Sequence, residues 1–295
     1  MERILKVDLS QKINDYGTIF NNKYKKINIS KISVNNIKKE FNKKGILLFR
    51  NFDFNIQNIG QFTDKFTIAY ANDALRRKKR FNKDNIRNVD SGNQKIDLHS
   101  EASFSPSTPE IIWFICKRPP NKKGGETTIC DGVKLWDSLE LSTKNFFLRN
   151  LIKYKLSIPF VNNNKNNSRK EWYLPHPGVE NCLIDFGKSK IEFNYYKYAV
   201  NKIRFQNRLS FANHLIVTLK SEPQMLSRTL SNDKKIPAKI MNEIKSKLEN
   251  FTYRHNWKKN DLLMIDNNRF LHGREKVSTN DIRDIVVMQT LRANF

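Results

Sequence analysis

A mainly β core decorated by helical insertions is the fold class this sequence predicts, and three observations carry it. Runs rich in β-branched and aromatic residues, Ile111–Cys116, Glu126–Cys130, Leu262–Ile265 and Ile285–Leu291, read as strands. These strands fall into two groups separated by a long insertion, about 137–250, that mixes helical periodicity with polar loops. The residues able to carry chemistry lie on or beside the strands. Strands flanking a helical insertion imply a β-sandwich or barrel-like core.

Each element follows in order. Ser33 is a helix cap for a segment whose Val34, Ile37 and Phe41 recur at helical spacing, and Gly45 stops it. A buried strand, Ile46–Phe49, comes next. Ile59, Phe62 and Phe66 after Asn55 suggest a second helix. Residues 67–95 are charged and lack periodicity, so they read as a loop or lid. A helix is expected around Trp136–Leu151, and the Asn/Lys-rich tract 162–167 reads as a flexible loop. An aromatic-rich stretch follows (Trp172, Tyr173, Phe186, Phe193, Tyr195, Tyr196, Tyr198), suited to a lid or to plain packing. Helices are expected at about Leu209–Leu219 and Pro237–Leu248. No Pro/Gly/Ser-rich stretch divides the 295 residues, so one domain over 1–295 is expected.

Composition narrows the function classes. The 54 basic and 29 acidic residues leave a formal charge of +25, which raises nucleic acid or an anionic membrane as a partner. The lysines are scattered rather than gathered on one element, which argues against nucleic acid. The densest basic run is Arg76–Arg80, either a solvated loop or a clamp for an anion. Cys116, Cys130 and Cys182 lack metal-type spacing and fit reduced thiols. With no secretory signal pattern and no apolar run of about 18 residues, a cytoplasmic protein is expected.

Two segments look like halves of one metal site: His99 and Glu101 in Leu98-His99-Ser100-Glu101, and His272 in Asp266-Asn267-Asn268-Arg269-Phe270-Leu271-His272-Gly273-Arg274. In a strand, residues two apart share a face, so His99 and Glu101 can both reach one ion. Two imidazoles and a carboxylate on one face of iron(II) leave the other face open for a co-substrate and dioxygen. A His-x-Glu alone is weak, and the second segment strengthens it. Arg283, eleven residues after His272, opens the last apolar strand.

Taken together these motifs resemble the taurine dioxygenase and clavaminate synthase-like (TauD/TfdA) superfamily of iron(II)/2-oxoglutarate-dependent oxygenases. The resemblance runs in order through Gly45-Ile46-Leu47-Leu48-Phe49-Arg50, the His-x-Glu, Pro119-Pro120, Gly124-Gly125-Glu126-Thr127, the Asp266-to-Arg274 segment and Arg283. It implies a double-stranded β-helix (jelly-roll) core, with His99, Glu101 and His272 as iron ligands. Thr127 and Arg283 would bind the distal carboxylate of 2-oxoglutarate, for which a guanidinium fork is well shaped. Dioxygen would be the other co-substrate, and succinate and carbon dioxide the co-products of hydroxylating or otherwise oxidising an unactivated C–H bond.

This chain departs from the family in one place that matters for the substrate. Many relatives carry a second arginine four residues after the first, and here that position is Val287. The substrate candidates are therefore Asn93, Gln94, Arg274, Arg292 and the basic run at 76–80. Glu101 stands where related halogenases have Ala or Gly, which argues against halide binding. An amino acid, free or carrier-linked, and a lipid-linked sugar acid such as the Kdo group of lipopolysaccharide are the substrate classes considered. The second would use peripheral contact between the basic surface and an anionic membrane. Two other function classes remain at this point: a zinc hydrolase using the same three ligands, and a basic nucleic-acid- or membrane-surface-binding protein without catalysis.

Overall fold

The chain begins with strands β1 (Asp8–Ile13) and β2 (Gly17–Asn21), seen in a computed structural model that describes residues 8–13, 17–22, 27–71, 77–89, 92–159, 182–186, 190–204, 206–217 and 226–295. Helix α1 (Val34–Lys44) starts where the Ser33 hydroxyl accepts from the Asn36 amide. It ends at Gly45, whose φ of 73° lies in the left-handed region that favours glycine. Ile37 and Phe41 are its buried stripe, and β3 (Ile46–Arg50) leaves directly from the cap. The second helix is only one turn, α2 (Gly60–Thr63), between two 3-10 turns, Ile56–Asn58 and Asp64–Phe66.

Residues 67–95, expected to be a loop, instead contribute β4 (Thr67–Tyr70), β5 (Lys79–Arg80) and β6 (Lys83–Asn88). These strands sit at a sheet edge, where backbone pairing suffices, so no apolar alternation marks them. β7 (Ile96–His99), β8 (Ile111–Arg118) and β9 (Thr127–Asp131) follow. The helix expected at 136–151 is two, α3 (Gly132–Ser138) and α4 (Leu141–Arg149). They are split by extended backbone at Leu139 and Glu140, with α3 capped by the Asp131 carboxylate at the Val133 amide.

The insertion is built more from strands than from helices: β10 (Ile152–Pro159), β11 (Cys182–Phe186), β12 (Lys190–Lys197), β13 (Asn201–Lys202), β14 (Leu209–Ser210) and β15 (Leu226–Leu230). The tract 162–167 and Trp172 and Tyr173 lie outside the described residues. The helix expected at 209–219 does not form: after β14 the described chain runs irregularly to Val217. Phe211–Val217 is buried at every residue, so it has no polar side for a helix to present, and a short apolar run cannot by itself distinguish the two states. Its backbone is satisfied by neighbours instead. The Phe211 amide donates to the Gly132 carbonyl, and the Asn213 carbonyl accepts from Ser100.

Helix α5 (Ala238–Leu248) appears as expected, followed by β16 (Thr252–His255), β17 (Leu262–Asp266), β18 (Phe270–Arg274) and β19 (Asp284–Ala293). The large sheet has the order β1-β2-β3-β17-β8-β19-β6-β5, with β4 also on β19, and a second sheet has the order β16-β9-β18-β7. The insertion supplies a third, β11-β12-β10-β15. All pairs are antiparallel except β2 with β3.

Both faces of the central strands are buried, which is why they read as unbroken apolar runs. Ile46, Leu48, Ile112, Phe114, Leu263, Ile265, Ile285 and Val287 face inward and meet Ile129 and Phe270 of the second sheet. Leu47, Phe49, Trp113, Met264 and Met288 face the opposite way and pack under α1 and Phe62. A third core, with Cys130 and Leu271 on one side and Ile152, Tyr154, Leu226 and Leu230 on the other, joins the second sheet to the insertion sheet. A buried Phe such as Phe270 is worth roughly 3–5 kcal/mol against truncation to Ala. The two-sheet sandwich is the jelly-roll core expected, and its interior at the His99 end holds the site.

Candidate metal centre

Strands β7 and β18 put His99 and His272 directly opposite each other in register, and their rings come to 4.7 Å between centroids. Phe270, His272 and Arg274 alternate onto the same inner face of β18. Glu101 arrives differently from the strand alternation expected, because β7 ends at His99 and Glu101 lies in the turn beyond it. Asn267 holds that turn. Its Oδ1 accepts from the Glu101 amide at 2.8 Å, its Nδ2 donates to the Glu101 carbonyl at 3.0 Å and to Pro109 at 2.8 Å, and its own carbonyl accepts from Ser100 Oγ. Ala102, at φ 50°, turns the chain away. The carboxylate Oε2 then stands 3.8 Å from Nε2 of both histidines, and the three donor atoms lie within 4.8 Å of one another.

The ionisation of these groups suits a cation. His99 Nδ1 is 2.8 Å from the Asp97 carbonyl, which fixes its proton there and leaves the Nε2 lone pair turned to the centre. Burial pushes the His272 imidazole down to about 4, outweighing the pull of the nearby Glu101 carboxylate, so the ring is neutral and able to bind a cation. For Glu101 burial works upward. The Arg77 guanidinium and the two imidazoles beside it outweigh it, and the carboxyl stays well below its usual range. Arg77 Nη2 lies 3.1 Å from Oε2, the same oxygen that faces the imidazoles. The first arginine of the described part of the basic run thus points into the site, while Lys79 and Arg80 pair with Asp84 and Asp284. Arg76 lies outside the described residues.

Thr127 begins β9, one strand over, opposite Arg274 of β18. Gly124 and Gly125 precede it at φ 110° and 76°, and a Cβ on Gly124 would stand 2.5 Å from the Lys276 carbonyl. That turn brings Arg283 alongside. Its Nε donates to the Gly125 carbonyl at 2.7 Å and its Nη2 to Thr127 Oγ1 at 3.1 Å. Burial, with Arg274 nearby, pushes Arg283 down to about 9. Thr127 Oγ1 also accepts from Trp257 Nε1 at 3.1 Å. With two donors directed at its lone pairs, the hydroxyl has its own proton left to give.

One open pocket connects these parts, lined by His99, Glu101, His272, Thr127, Arg283 and Arg77 together with Phe114, Val287 and Arg274. The donor set fits iron(II), and Arg283, which no carboxylate pairs among the described residues, fits a carboxylate in the same space together with the Thr127 hydroxyl. The structure brings only some of the substrate candidates there. Arg274 lines the cavity but uses Nη2 to hold the Gly92 and Gln94 carbonyls. Asn93 and Gln94 are exposed, and Arg292 is exposed on β19 opposite Ala69.

Sequence reasoning missed Asn267 as the clamp of the Glu101 turn, Trp257 as the donor to Thr127, and His214, whose ring stands edge-on to His99 at 5.3 Å. Asn267 has a visible signal, since a polar residue directly follows the apolar run Leu262–Ile265 and Asp266. His214 has one as well, a single histidine inside Phe211–Val217.

Buried Cys116 and Cys130 are free thiols, pushed up to about 12 chiefly by burial, and take no part in the site. Among the described residues no helix is long and apolar enough to cross a membrane.

Comparison with known proteins places this geometry. A curated relative from Fischerella ambigua, 3-((Z)-2-isocyanoethenyl)-1H-indole synthase, is 21% identical over 198 residues, covering 65% of this chain. The chain spans 62% of that relative's length. Among solved structures, PvcB from Pseudomonas aeruginosa superposes with a TM-score of 0.61 at 14% identity, over 93% of this chain and 86% of that one. A second PvcB structure, described as an Fe, alpha-ketoglutarate dependent oxygenase from an isonitrile synthetic pathway, gives 0.59 at 14% identity, again over 93% and 86%. A taurine dioxygenase from Burkholderia xenovorans gives 0.59 at 10% identity, over 89% of this chain and 80% of its own. These likenesses establish the shared fold. The match to a family goes further, because it runs through residues 12–289 and so takes in both metal motifs, the Gly-Gly-Glu-Thr turn and Arg283: the chain belongs to the taurine catabolism dioxygenase TauD, TfdA family.

Proposed function

We propose that this protein is an iron(II)- and 2-oxoglutarate-dependent oxygenase that oxidises an unactivated C–H bond of a small polar or anionic substrate. The observation that carries the reading is the pairing, in one cavity, of the His99–Glu101–His272 donor set with the Thr127–Arg283 carboxylate grip. A zinc hydrolase has use for the first and none for the second. When bound, iron and 2-oxoglutarate would supply dioxygen activation: the co-substrate loses carbon dioxide and becomes succinate, one oxygen atom going to it and one to the substrate.

The chain's own residues have distinct tasks in this reading. His99, Glu101 and His272 hold the metal on one face. Arg283 forms charge-assisted hydrogen bonds with the distal carboxylate of 2-oxoglutarate, and Thr127 donates its free proton to the same group. Phe114 and Val287 line the cavity with apolar surface that keeps water from the reacting centre. Arg77 moderates the charge on Glu101.

Among substrate classes we favour a small amino-acid-derived molecule. The curated relative makes an isocyanoethenyl indole and PvcB comes from an isonitrile pathway, while Val287 supplies no second arginine for a sulfonate.

The test is anaerobic titration of the purified protein with iron(II) and 2-oxoglutarate, reading the weak visible charge-transfer band of the chelate. We expect the band in the wild type and its loss in His272→Ala. Well-folded protein with no band would return the weight to a zinc hydrolase or a binding protein.

A further inference from the structure

Beside the metal centre lies a second group of polar side chains that the oxygenase reading has not used. His214 is buried against His99 and against Phe104, whose ring is 4.9 Å away, and neither of its ring nitrogens has a hydrogen-bond partner. Arg228 is partly buried, and its Nε and Nη2 are closed to solvent and equally without a partner among the described residues. Buried donors left unmade are costly and rare in native structures, so two such residues together call for an explanation.

The position of Arg228 supplies one. On β15 it stands directly opposite Tyr154 of β10, which on its other side faces Tyr195 of β12. Directly opposed residues share a face, so Tyr195, Tyr154 and Arg228 form one row across the insertion sheet. The neighbouring row is Lys197, Ile152 and Leu230. Ile152, Tyr154, Leu226 and Leu230 place that face in the core against the metal-bearing sheet. Two cations therefore sit in an otherwise apolar and aromatic wall, and no ion pair joins Arg228 to a carboxylate among the described residues. Burial alone pushes Lys197 down to about 8, consistent with a scarcity of negative charge there. His214 stands edge-on to His99 at 5.3 Å and also feels the charge of Arg228.

The same protein shows what this kind of arginine edge accepts. Nε and Nη2 are the two parallel donors of the guanidinium side edge. In Arg50 they are filled by the Asp261 carboxylate at 2.8 and 2.6 Å, and in Arg269 by Asp131 at 3.5 and 2.9 Å. In Arg228 that fork is empty. We propose that Arg228, with Tyr154 and His214 beside it, is the subsite that grips a carboxylate of the oxidised substrate, next to the metal and separate from the Arg283 site for 2-oxoglutarate. The proposal rests on the oxygenase reading for its word "substrate". The planar fork selects a carboxylate, and the aromatic row gives the ring or chain behind it a flat wall.

The test uses matched acids and amides as probes: 3-phenylpropionate against 3-phenylpropionamide, and indole-3-propionate against its amide. Binding is measured by calorimetry under nitrogen, both to the metal-free protein and to protein saturated with iron(II) and 2-oxoglutarate. We expect the wild type to bind at least one acid ten-fold or more tighter than its amide. Arg228→Met should remove that preference and Arg228→Lys keep part of it, both retaining 2-oxoglutarate binding. The melting temperature of Arg228→Met should be equal to or above wild type, because no partner is lost, whereas a structural arginine would lower it. Equal binding of acid and amide, binding of neither pair, or an unchanged preference in Arg228→Met would overturn the proposal. Loss of the iron/2-oxoglutarate band in wild type alongside an Arg228-dependent acid preference would instead sink the oxygenase reading and leave the carboxylate subsite standing.

Discussion

Arg283 Nη2 stands 3.1 Å from the hydroxyl oxygen of Thr127, although 156 residues separate them. Neither residue has an obvious structural need for the other. Their meeting places a guanidinium that no carboxylate pairs among the described residues, and a hydroxyl whose lone pairs are already filled, on the wall of the pocket that holds His99, Glu101 and His272. Replacing Arg283 by Gln should therefore raise the Kd for 2-oxoglutarate by about two orders of magnitude, the scale of losing a buried charge-assisted pair. Iron(II) affinity in the absence of 2-oxoglutarate should change little. Anaerobic calorimetry reads both quantities, and comparable loss of both would mean the arginine is structural.

Trp257 contributes at one remove. Its indole occupies one lone pair of Thr127 and so directs the hydroxyl proton into the cavity. In Trp257→Phe the hydroxyl regains rotational freedom, and 2-oxoglutarate affinity should fall several-fold, with a stability cost of about 1 kcal/mol for the lost hydrogen bond. A variant with wild-type affinity would show that the orientation of Thr127 does not matter.

The three metal donors come from a strand end, a turn and a neighbouring strand, and none of them anchors a core. His99→Ala and Glu101→Ala should each abolish iron retention and 2-oxoglutarate decarboxylation while far-ultraviolet circular dichroism stays as in wild type. Wild-type iron affinity in both would refute the ligand assignment. Asn267→Ala tests the turn itself. Removing the side chain that holds Glu101 from both its amide and its carbonyl should weaken iron binding by ten-fold or more without touching a ligand.

Away from the site, Asp261 ties β17 to β3 through both side-edge donors of Arg50, and it sits 3.3 Å from His255. Burial acts to raise its pKa, but the hydrogen bonds from Arg50 and the neighbouring His255 imidazole outweigh it, and the net shift is downward. A carboxyl with a depressed folded value contributes stability that is complete above the unfolded aspartate range, about 3.9, and is lost as pH falls through the folded value. Asp261→Asn should cost about 3 kcal/mol at neutral pH, because Arg50 loses its partner. Its stability should fall less steeply than wild type as the solution is acidified below pH 4. Parallel acid-unfolding curves for the two proteins would remove Asp261 from the acid-sensitive groups.

The sequence by itself determined the central strands and the ends of α1. Both faces of β3, β8, β17 and β19 are buried, so unbroken apolar runs were their necessary signature, and Ser33 and Gly45 are local caps that act within a few residues. Ordered motifs likewise made His99, Glu101, His272, Thr127 and Arg283 legible as one group before any geometry. Only the tertiary structure decided how they meet. Glu101 reaches the histidines through a turn gripped by Asn267, not by strand alternation, and that depends on a hydrogen bond spanning 166 residues. The edge strands β4 to β6 and the insertion sheet escaped notice because backbone pairing needs a partner strand more than a pattern. The helix expected at about Leu209–Leu219 does not form, and burial on all sides of Phe211–Val217 erases the periodicity that separates helix from extended chain. Arg228 carried no local signal for a different reason: what marks it is a guanidinium edge without a hydrogen-bond partner among the described residues, and that is a property of the folded interior alone.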